Sequence, residues 1–241
     1  MSDRKSLQTG TLYLIPCPIV EGKIESIPPQ TIDILHTLKY FIAEKAKTAR
    51  HYIKATNPPY ALQDLEMVEI TKHTTEAEKQ GYLKALEAGN DVGLLSEAGC
   101  PGVADPGAYI VRLAHEKNIK VVPLTGPSSI LLALMASGMN GQSFCFHGYL
   151  PVKKLQLTGS LKKLETLSKT HQQTQLFIEA PYRNMQLMES ALECLGPNTR
   201  FGVAANLNDE AELIKVQPIK KWDKNNLPAL HKIPAVFMIM A

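Results

Sequence analysis

The chain has 241 residues, of which 44% are hydrophobic and 20% are charged, and this composition excludes an intrinsically disordered protein. Its length suffices for one large domain or two smaller ones. A net charge of +3 is too small to indicate nucleic-acid binding through charge alone, although it leaves room for a local basic patch.

The cysteines and the apolar segments indicate the cellular compartment in which we expect the protein. No cysteine forms a CxxC pair or has the spacing of a zinc site, which predicts reduced thiols in a cytoplasmic protein. The polar start "MSDRKSLQTG" predicts no signal peptide. The longest apolar stretch, "ILLALMASGM", is too short to span a membrane. The four cysteines are Cys17, Cys100, Cys145 and Cys194.

The first half of the chain alternates predicted strands and helices. The predicted strands, in chain order, are "TLYLI", "YFIAE", "LEMVEI", "DVGLLS" and "KVVPL". Each is followed by a predicted helix: "PPQTIDILHTLKY" with Thr31 as a candidate cap, "TARHYIKAT", a helix with a Thr75–Glu78 capping box that ends at Gly89, "PGAYIVRLAHEK", and "TGPSSILLALMASG". Asp105 is the predicted N-cap of the fourth helix and Pro106 its first residue. Short apolar strands separated by helices predict a mainly parallel sheet covered on both faces.

The second half of the chain has a different pattern. The predicted elements are the strand "FCFHGYL", the basic helix "GSLKKLETLSKT", the strand "TQLFIEA", the helix "YRNMQLMESALECLG", and the strands "RFGVAANL", "AELIKVQPI" and "AVFMIMA". Because the last three strands have no long helix between them, we expect a mixed sheet with antiparallel members. The sequence therefore predicts two α/β domains, residues 1–124 and residues 125–241.

Glycine and proline are concentrated after three strands of the first half: "PCP" at 16–18, "AGCPG" at 98–102 and "TGP" at 125–127. Each segment alone is better explained as a tight turn, because turns favour these residues. Glycine allows a close backbone approach and proline stiffens a loop. Because ligands of open α/β sheets bind at the carboxyl ends of the strands, the three together predict a rigid main-chain cradle for a ligand.

Several site types are excluded by their missing motifs. The sequence contains no GxxxxGK[ST], GxGxxG, HExxH or GxSxG, its seven histidines are scattered, and no nucleophile–base pair is recognisable, so we expect no metal. A cradle without obvious catalytic residues suits a reaction whose cofactor carries the chemistry. Methyl transfer from S-adenosylmethionine is such a reaction, because its sulfonium is already a good leaving group and the protein mainly aligns the reactants.

Five segments in this order resemble one family: "GTLYLIPCPI", "LLSEAGCPGVADPG", "VVPLTGPSSILLALMASG", "FHGYLP" and "LFIEAPYR". They are similar to the tetrapyrrole methylase superfamily, the class III S-adenosylmethionine-dependent methyltransferases. Within it they most resemble the branch that 2′-O-methylates a cytidine of small-subunit ribosomal RNA. The resemblance implies two α/β domains with the cofactor in the cleft between them, a homodimer, and ribosomal RNA or the small ribosomal subunit as partner. We expect neither a membrane nor DNA as a partner.

The resemblance also implies which residues bind the cofactor. By position these are Cys17, Pro18, Ile19, Glu97, Ala98, Gly99, Cys100, Pro101, Val103, Ser128, Ser129, Ile178, Ala180, Pro181, Ala204, Ala205, Ala235 and Val236. Several of them would act through the main chain, as the cradle requires. Glu97 is also a candidate for holding a cationic part of the cofactor.

The candidate catalytic residues are Glu44, Glu179 and Arg183. Glu44 is a candidate base or orienting group, with a solvated carboxylate as the alternative. Glu179 and Arg183 are candidates for binding the acceptor, with a local ion pair as the alternative. A third set could contact phosphates or simply form a solvated helix face: Lys153, Lys154, Lys162 and Lys163.

The chain also departs from the branch's pattern. "AEKAKTAR" stands where an acidic-Asp-Thr-Arg run is usual, "AANLND" replaces an Arg-Glu pair, and Cys17 and Cys100 occupy positions where threonine is expected. Two alternatives to RNA methylation therefore remain: a methylase of a tetrapyrrole or another small molecule, and a non-catalytic protein that binds S-adenosylmethionine.

Overall fold

The computed structural model describes residues 9–70 and 81–241. The chain divides into two compact units, Met1–Ser128 and Ser129–Ala241. The sequence prediction divided the chain at 124/125, so the two boundaries differ by the segment that contains the "TGP" loop. The predicted Thr75–Glu78 capping box lies outside the described residues.

The first unit is built on a five-stranded parallel sheet. Its strands are β1 (Thr11–Ile15), β2 (Tyr40–Ala43), β3 (Glu66–Glu69), β4 (Val92–Leu95) and β5 (Lys120–Pro123), in the order β3-β2-β4-β1-β5. Its helices are α1 (Pro29–Leu35), α2 (Ala46–Ala55), α3 (Lys84–Glu87) and α4 (Gly107–Glu116). The predicted alternation of strands and helices is confirmed.

Two apolar clusters cover the two faces of this sheet. Phe41 and Ile15 on one face pack with side chains of α1 and α2, such as Leu35. Leu12 and Ile42 on the other face pack with side chains of α3 and α4. Both faces are therefore buried, which explains why the strands are continuously apolar rather than alternating.

The second unit contains a mixed five-stranded sheet, as the sequence predicts. Its strands are β6 (Phe144–Tyr149), β7 (Thr174–Ile178), β8 (Arg200–Ala205), β9 (Leu213–Pro218) and β10 (Ala235–Met240), in the order β6-β7-β10-β8-β9. Only β6 and β7 pair in parallel, and the other pairs are antiparallel. Its helices are α5 (Ser129–Ser137), α6 (Lys154–His171) and α7 (Asn184–Cys194).

The sheet of the second unit is also covered on both faces. Helices α6 and α7 pack on one face around Phe177, Phe201 and Phe237, whose rings stack with centroid separations of 6.1 Å. Helix α5 packs on the other face against Leu176 and Met238. Among residues 9–70 and 81–241, none of the helices combines the length and the apolar character that crossing a bilayer requires.

Two predicted helix caps are wrong in position. Helix α1 begins at Pro29, so Thr31 lies inside the helix, and its hydroxyl donates to the Thr125 carbonyl at 2.8 Å. Helix α4 begins at Gly107 with Pro106 as its N-cap. Asp105 instead accepts from the main-chain NH of Gly102 at 2.8 Å and of Gly107 at 2.7 Å, so it stabilises the turn before the helix.

Candidate functional site

The three glycine- and proline-rich loops follow three neighbouring strands of the first sheet, two of them central and one at its edge. They follow β4, β1 and β5, which are adjacent in that order. The connection from β1 runs to β2 over the face covered by α1, whereas the connection from β4 runs to β5 over the opposite face through α4. The chain thus leaves two adjacent strands in opposite directions, and such a switch point opens a crevice at the carboxyl ends of the strands.

Main-chain hydrogen bonds join the first two loops. The NH of Cys17 donates to the Gly99 carbonyl at 2.9 Å, and the NH of Gly99 donates to the Cys17 carbonyl at 3.0 Å. The Ser96 hydroxyl donates to the same Gly99 carbonyl at 3.0 Å. Gly99 has a φ of +69°, a conformation that side-chain-bearing residues rarely adopt, so glycine is required at this crossing point.

The third loop lies directly against the first two. A Cβ placed on Gly126 would lie 2.2 Å from the Cβ of Pro16, so only glycine allows this approach. The Cys100 thiol donates to the Pro127 carbonyl at 3.4 Å. The three loops therefore form one connected cradle, which the sequence predicted from their composition and not from any pairing signal.

The thiols near the cradle are poor nucleophiles. Burial raises the pKa of Cys17 to about 12, and its thiol donates to the Ser96 carbonyl at 3.1 Å. Burial also raises the pKa of Cys100. Both thiols therefore stay protonated near neutral pH, where the reactive thiolate is scarce. Their hydrogen bonds instead hold the loops, and all four cysteines of the chain are free.

Carboxylates gather beside the cradle, at the ends of β2 and β4. Glu44 follows β2, and its pKa is raised by burial first and then by the charges of Asp105 and Glu97. The Glu97 carboxylate accepts from the Lys45 ammonium at 2.6 Å. Burial also raises the pKa of Asp105. A carboxylate with a raised pKa is a better proton acceptor than an ordinary one, so a base and a solvated carboxylate both stay open as roles of Glu44.

In the second unit, five predicted cofactor residues lie side by side at one end of three adjacent strands, with Ile178, Ala204 and Val236 on one face of the sheet and Ala205 and Ala235 on the other. Val236 of β10 lies opposite Ile178 of β7 on one side and opposite Ala204 of β8 on the other. Ala235 lies opposite Ala205. Because β10 is antiparallel to both neighbours, its first residues meet the last residues of β7 and β8. The structure thus brings together residues that are far apart in the chain.

Glu179 and Arg183 form an ion pair immediately after β7. The Glu179 carboxylate is buried and accepts from the Arg183 guanidinium at 2.5 Å and from the NH of Ala180 at 2.7 Å. The carboxylate holds the pKa of Arg183 above its usual range. One guanidinium nitrogen, Nε of Arg183, is buried without a hydrogen-bond partner. That donor is available to a ligand, so acceptor binding and a local ion pair both stay open as roles.

The remaining predicted residues are more peripheral. Val103 is 47% exposed, and Ser128 and Ser129 stand at the division between the two units. Lys154 pairs with Glu193 at 3.1 Å. The lysines predicted either to contact phosphates or to form a solvated face are all exposed: Lys153, Lys154, Lys162 and Lys163.

A cavity of about 750 Å³ in the first unit was not predicted from the sequence. It adjoins the cradle, since Cys17, Glu97 and Ala98 contribute to its lining. Helix α2 and the loop after β1 supply most of the rest. The signal that could have revealed it is the run of basic residues at helical spacing in "AKTARHYIKA". Within the described ranges, no three His, Cys, Asp or Glu side chains are grouped to hold a metal ion.

Comparison with known proteins agrees with the resemblance seen in the sequence. The model of the Tetrapyrrole (Corrin/Porphyrin) Methylases family matches residues 11–222. The chain is 30% identical over 225 residues to the ribosomal RNA small subunit methyltransferase I of Vibrio cholerae, covering 91% of this chain and 73% of that protein. It is 33% identical over 199 residues to the protein of the same name from Bacillus subtilis, covering 81% and 63%.

Two solved structures share the fold. The methyltransferase CobJ superimposes with a TM-score of 0.62 at 14% identity, covering 96% of this chain and 93% of that one. The uroporphyrin-III-C-methyltransferase from Thermus thermophilus gives 0.54 at 18% identity, covering 96% and 92%. The matching family model and the relatives named as methyltransferases lead to one conclusion: the chain belongs to the tetrapyrrole methylase family of S-adenosylmethionine-dependent methyltransferases.

Proposed function

We propose that this enzyme transfers a methyl group from S-adenosylmethionine to a ribose 2′-hydroxyl in the RNA of the small ribosomal subunit. The observation that carries the acceptor class is the similarity to proteins named ribosomal RNA small subunit methyltransferase I, over 91% of the chain in the Vibrio cholerae case. The alternative acceptor is a tetrapyrrole or another small molecule. In either case the enzyme acts as a homodimer in the cytoplasm.

The chemistry of the cradle fits the cofactor. The NH and carbonyl of Gly99 join the loops, so the main-chain groups that would meet the polar atoms of an adenosine or an amino acid are those of Glu97 and Ala98. Gly99 keeps the approach open because it has no Cβ. The carboxylate of Glu97, which pairs with Lys45, is the candidate for holding a cationic group of the cofactor. The Ile178–Pro181 segment and the alanines of β8 and β10 would supply the cofactor contacts of the second unit. When bound, the cofactor supplies an activated methyl group.

Glu44 is the residue that we assign as proton acceptor. A ribose hydroxyl becomes a better nucleophile when its proton is drawn away, and a carboxylate with a raised pKa suits that step. Glu179 and Arg183 orient the acceptor, with the unpartnered Nε of Arg183 as a hydrogen-bond donor. The cradle serves alignment, which is the main demand of methyl transfer.

The test is methyl transfer from radiolabelled S-adenosylmethionine to 30S subunits that lack 2′-O-methylation. Label in the small-subunit RNA, mapped to a ribose by nuclease-resistant dinucleotides, is the expected result. Calorimetry with S-adenosylhomocysteine should show binding in parallel. Binding without label in RNA would contradict the acceptor class and favour the small-molecule alternative. Absence of binding at millimolar concentration would contradict the cofactor assignment to these loops.

A further inference from the structure

The 750 Å³ cavity has two well-defined walls, and we call it the α2 groove. One wall is the solvent-facing side of α2, where Lys47, His51 and Lys54 recur at helical spacing. The other wall is the loop 17–24 after β1, and Glu97 and Ala98 complete the lining. Its volume lies in the range of pockets that take a ligand of nucleotide size, and is far too small for a duplex.

The walls of the α2 groove are fixed by hydrogen bonds behind them. The Tyr52 hydroxyl donates to the Pro16 carbonyl at 3.2 Å, which joins α2 to the cradle. The Arg50 guanidinium donates to the Leu62 carbonyl at 2.7 Å, which joins α2 to the segment before β3. The groove is therefore formed before any ligand binds, and Arg50 is engaged in holding it.

The positive charges in the groove are not all neutralised. His51 lies 3.4 Å from the Glu21 carboxylate, and Glu97 is paired with Lys45. Lys47 and Lys54 are exposed and, among the residues that the structure describes, neither has an ion-pair or hydrogen-bond partner. Seven residues separate them, which is about 10 Å along the helix axis. Two free ammonium groups at this separation suit a polyanion with several phosphates better than one isolated phosphate.

We propose that the α2 groove binds the phosphate backbone of single-stranded RNA beside the methylated nucleotide, with Lys47 and Lys54 contacting different phosphates. The proposal rests on the proposed RNA acceptor. Phosphate contacts of this kind position a strand without reading its sequence. The groove adjoins the cradle, so a strand held there lies next to the residues assigned to the cofactor. It also gives the segment "AEKAKTAR" a role in substrate binding.

The test compares two double variants of the full-length enzyme. Lys47→Ala/Lys54→Ala removes the free charges of the groove. The control variant, Lys39→Ala/Lys120→Ala, removes the same amount of positive charge at the amino ends of β2 and β5, which is the end of the strands opposite to the cradle. The readouts are the KM for 30S subunits, the kcat, and the Kd for a fluorescently labelled single-stranded oligoribonucleotide as a function of salt.

For the groove variant we expect a KM and a Kd raised roughly tenfold, with kcat and the affinity for S-adenosylhomocysteine unchanged. The slope of log Kd against log salt should fall by about 1.4, because each lost phosphate contact on a single strand accounts for about 0.7. The control variant should keep the wild-type slope. Unchanged Kd and slope in the groove variant, or equal losses in both variants, would overturn the proposal.

The failure of this inference is distinguishable from that of the proposed function. If wild-type enzyme methylates 30S subunits while the groove variant keeps its KM and slope, the function stands and the groove assignment falls. If wild-type enzyme labels no RNA, the acceptor class falls. In that case an oligonucleotide Kd that depends on Lys47 and Lys54, but not on the control lysines, still supports the groove as an RNA-binding surface.

Discussion

Glu44 carries a carboxylate at a position that disfavours its charged form. Its carboxylate lies in a partly buried place near the charges of Asp105 and Glu97, and the Lys45 ammonium that follows it only partly offsets them. Burial and like charges both disfavour the ionised form. The fold would gain from a neutral side chain here, so retention of the carboxylate is consistent with a role in proton transfer.

The first prediction concerns activity. Glu44→Gln keeps the size and one oxygen of the side chain but removes its capacity to accept a proton. We expect kcat for methyl transfer to fall by roughly 10²-fold or more, the usual contribution of a general base. The affinity for S-adenosylhomocysteine, measured by calorimetry, should stay within about threefold of wild type. A kcat near that of wild type would exclude Glu44 as the base.

The second prediction uses the same variant to test the pKa shift. Because the pKa of Glu44 is raised in the folded chain, the folded chain holds this proton more tightly than the unfolded one. The stability contributed by Glu44 is therefore fully present below its ordinary pKa of 4.5 and is lost as the pH rises through the raised value. Glu44→Gln does not titrate. Its Tm relative to wild type should therefore rise as the pH increases above the ordinary pKa of 4.5, and a Tm difference independent of pH would contradict the shift.

At the scale of the elements, the cradle depends on the contact of loops that are distant in sequence. Cys17 and Gly99 join two of them through the main chain, and Gly126 allows the third to approach Pro16. The contacts combine backbone hydrogen bonds with close packing and leave little room for adjustment. A small increase in side-chain volume should therefore disturb the whole cradle.

The third prediction tests this rigidity with one methyl group. In Gly126→Ala the new Cβ would lie 2.2 Å from the Pro16 Cβ, so the loops must separate. We expect destabilisation of about 1–3 kcal/mol, typical of overpacking, and at least a tenfold loss of affinity for S-adenosylhomocysteine. Chemical denaturation and calorimetry measure the two effects. Gly141→Ala is the matched control, because nothing lies within 4 Å of its added Cβ. Equal behaviour of the two variants would show that the loops adjust freely.

Sequence reasoning was most successful where a local pattern determines the structure. Apolar runs and glycine–proline clusters predicted the strands and the loops of the cradle. It was less successful where contacts between distant parts of the chain determine the role of a residue. Thr31 is a good cap residue by type, but its hydroxyl bonds Thr125, 94 residues away. Asp105, the predicted cap, supports the turn one position before the observed N-cap, Pro106. The α2 groove was missed because its opposite wall comes from a separate loop.

At the scale of the whole molecule, the predicted cofactor residues lie at one end of the strands of each sheet, and we call these two ends the first and the second edge. The first edge carries the cradle, and the second carries the patch formed by Ile178, Ala204 and Val236. The first edge consists of the carboxyl ends of parallel strands, whereas the second joins the carboxyl ends of β7 and β8 to the start of the antiparallel strand β10. In the second unit the patch exists only because β10, the last strand of the chain, inserts between β7 and β8. The patch in the second unit therefore requires the complete fold of that unit.

The last prediction is that one ligand protects both edges. Hydrogen–deuterium exchange of the full-length protein, with and without saturating S-adenosylhomocysteine, should show slowed exchange in peptides covering 97–103 and in peptides covering 178–181 and 204–205. The physical reason is that bound ligand stabilises each segment that it contacts against local opening, by about 2.7 kcal/mol at a ligand concentration of 100 times Kd. Peptides from α6, which contains none of the predicted cofactor residues, serve as the internal reference. Protection confined to 97–103 would restrict the cofactor to the first unit and would remove the second-unit residues from the site.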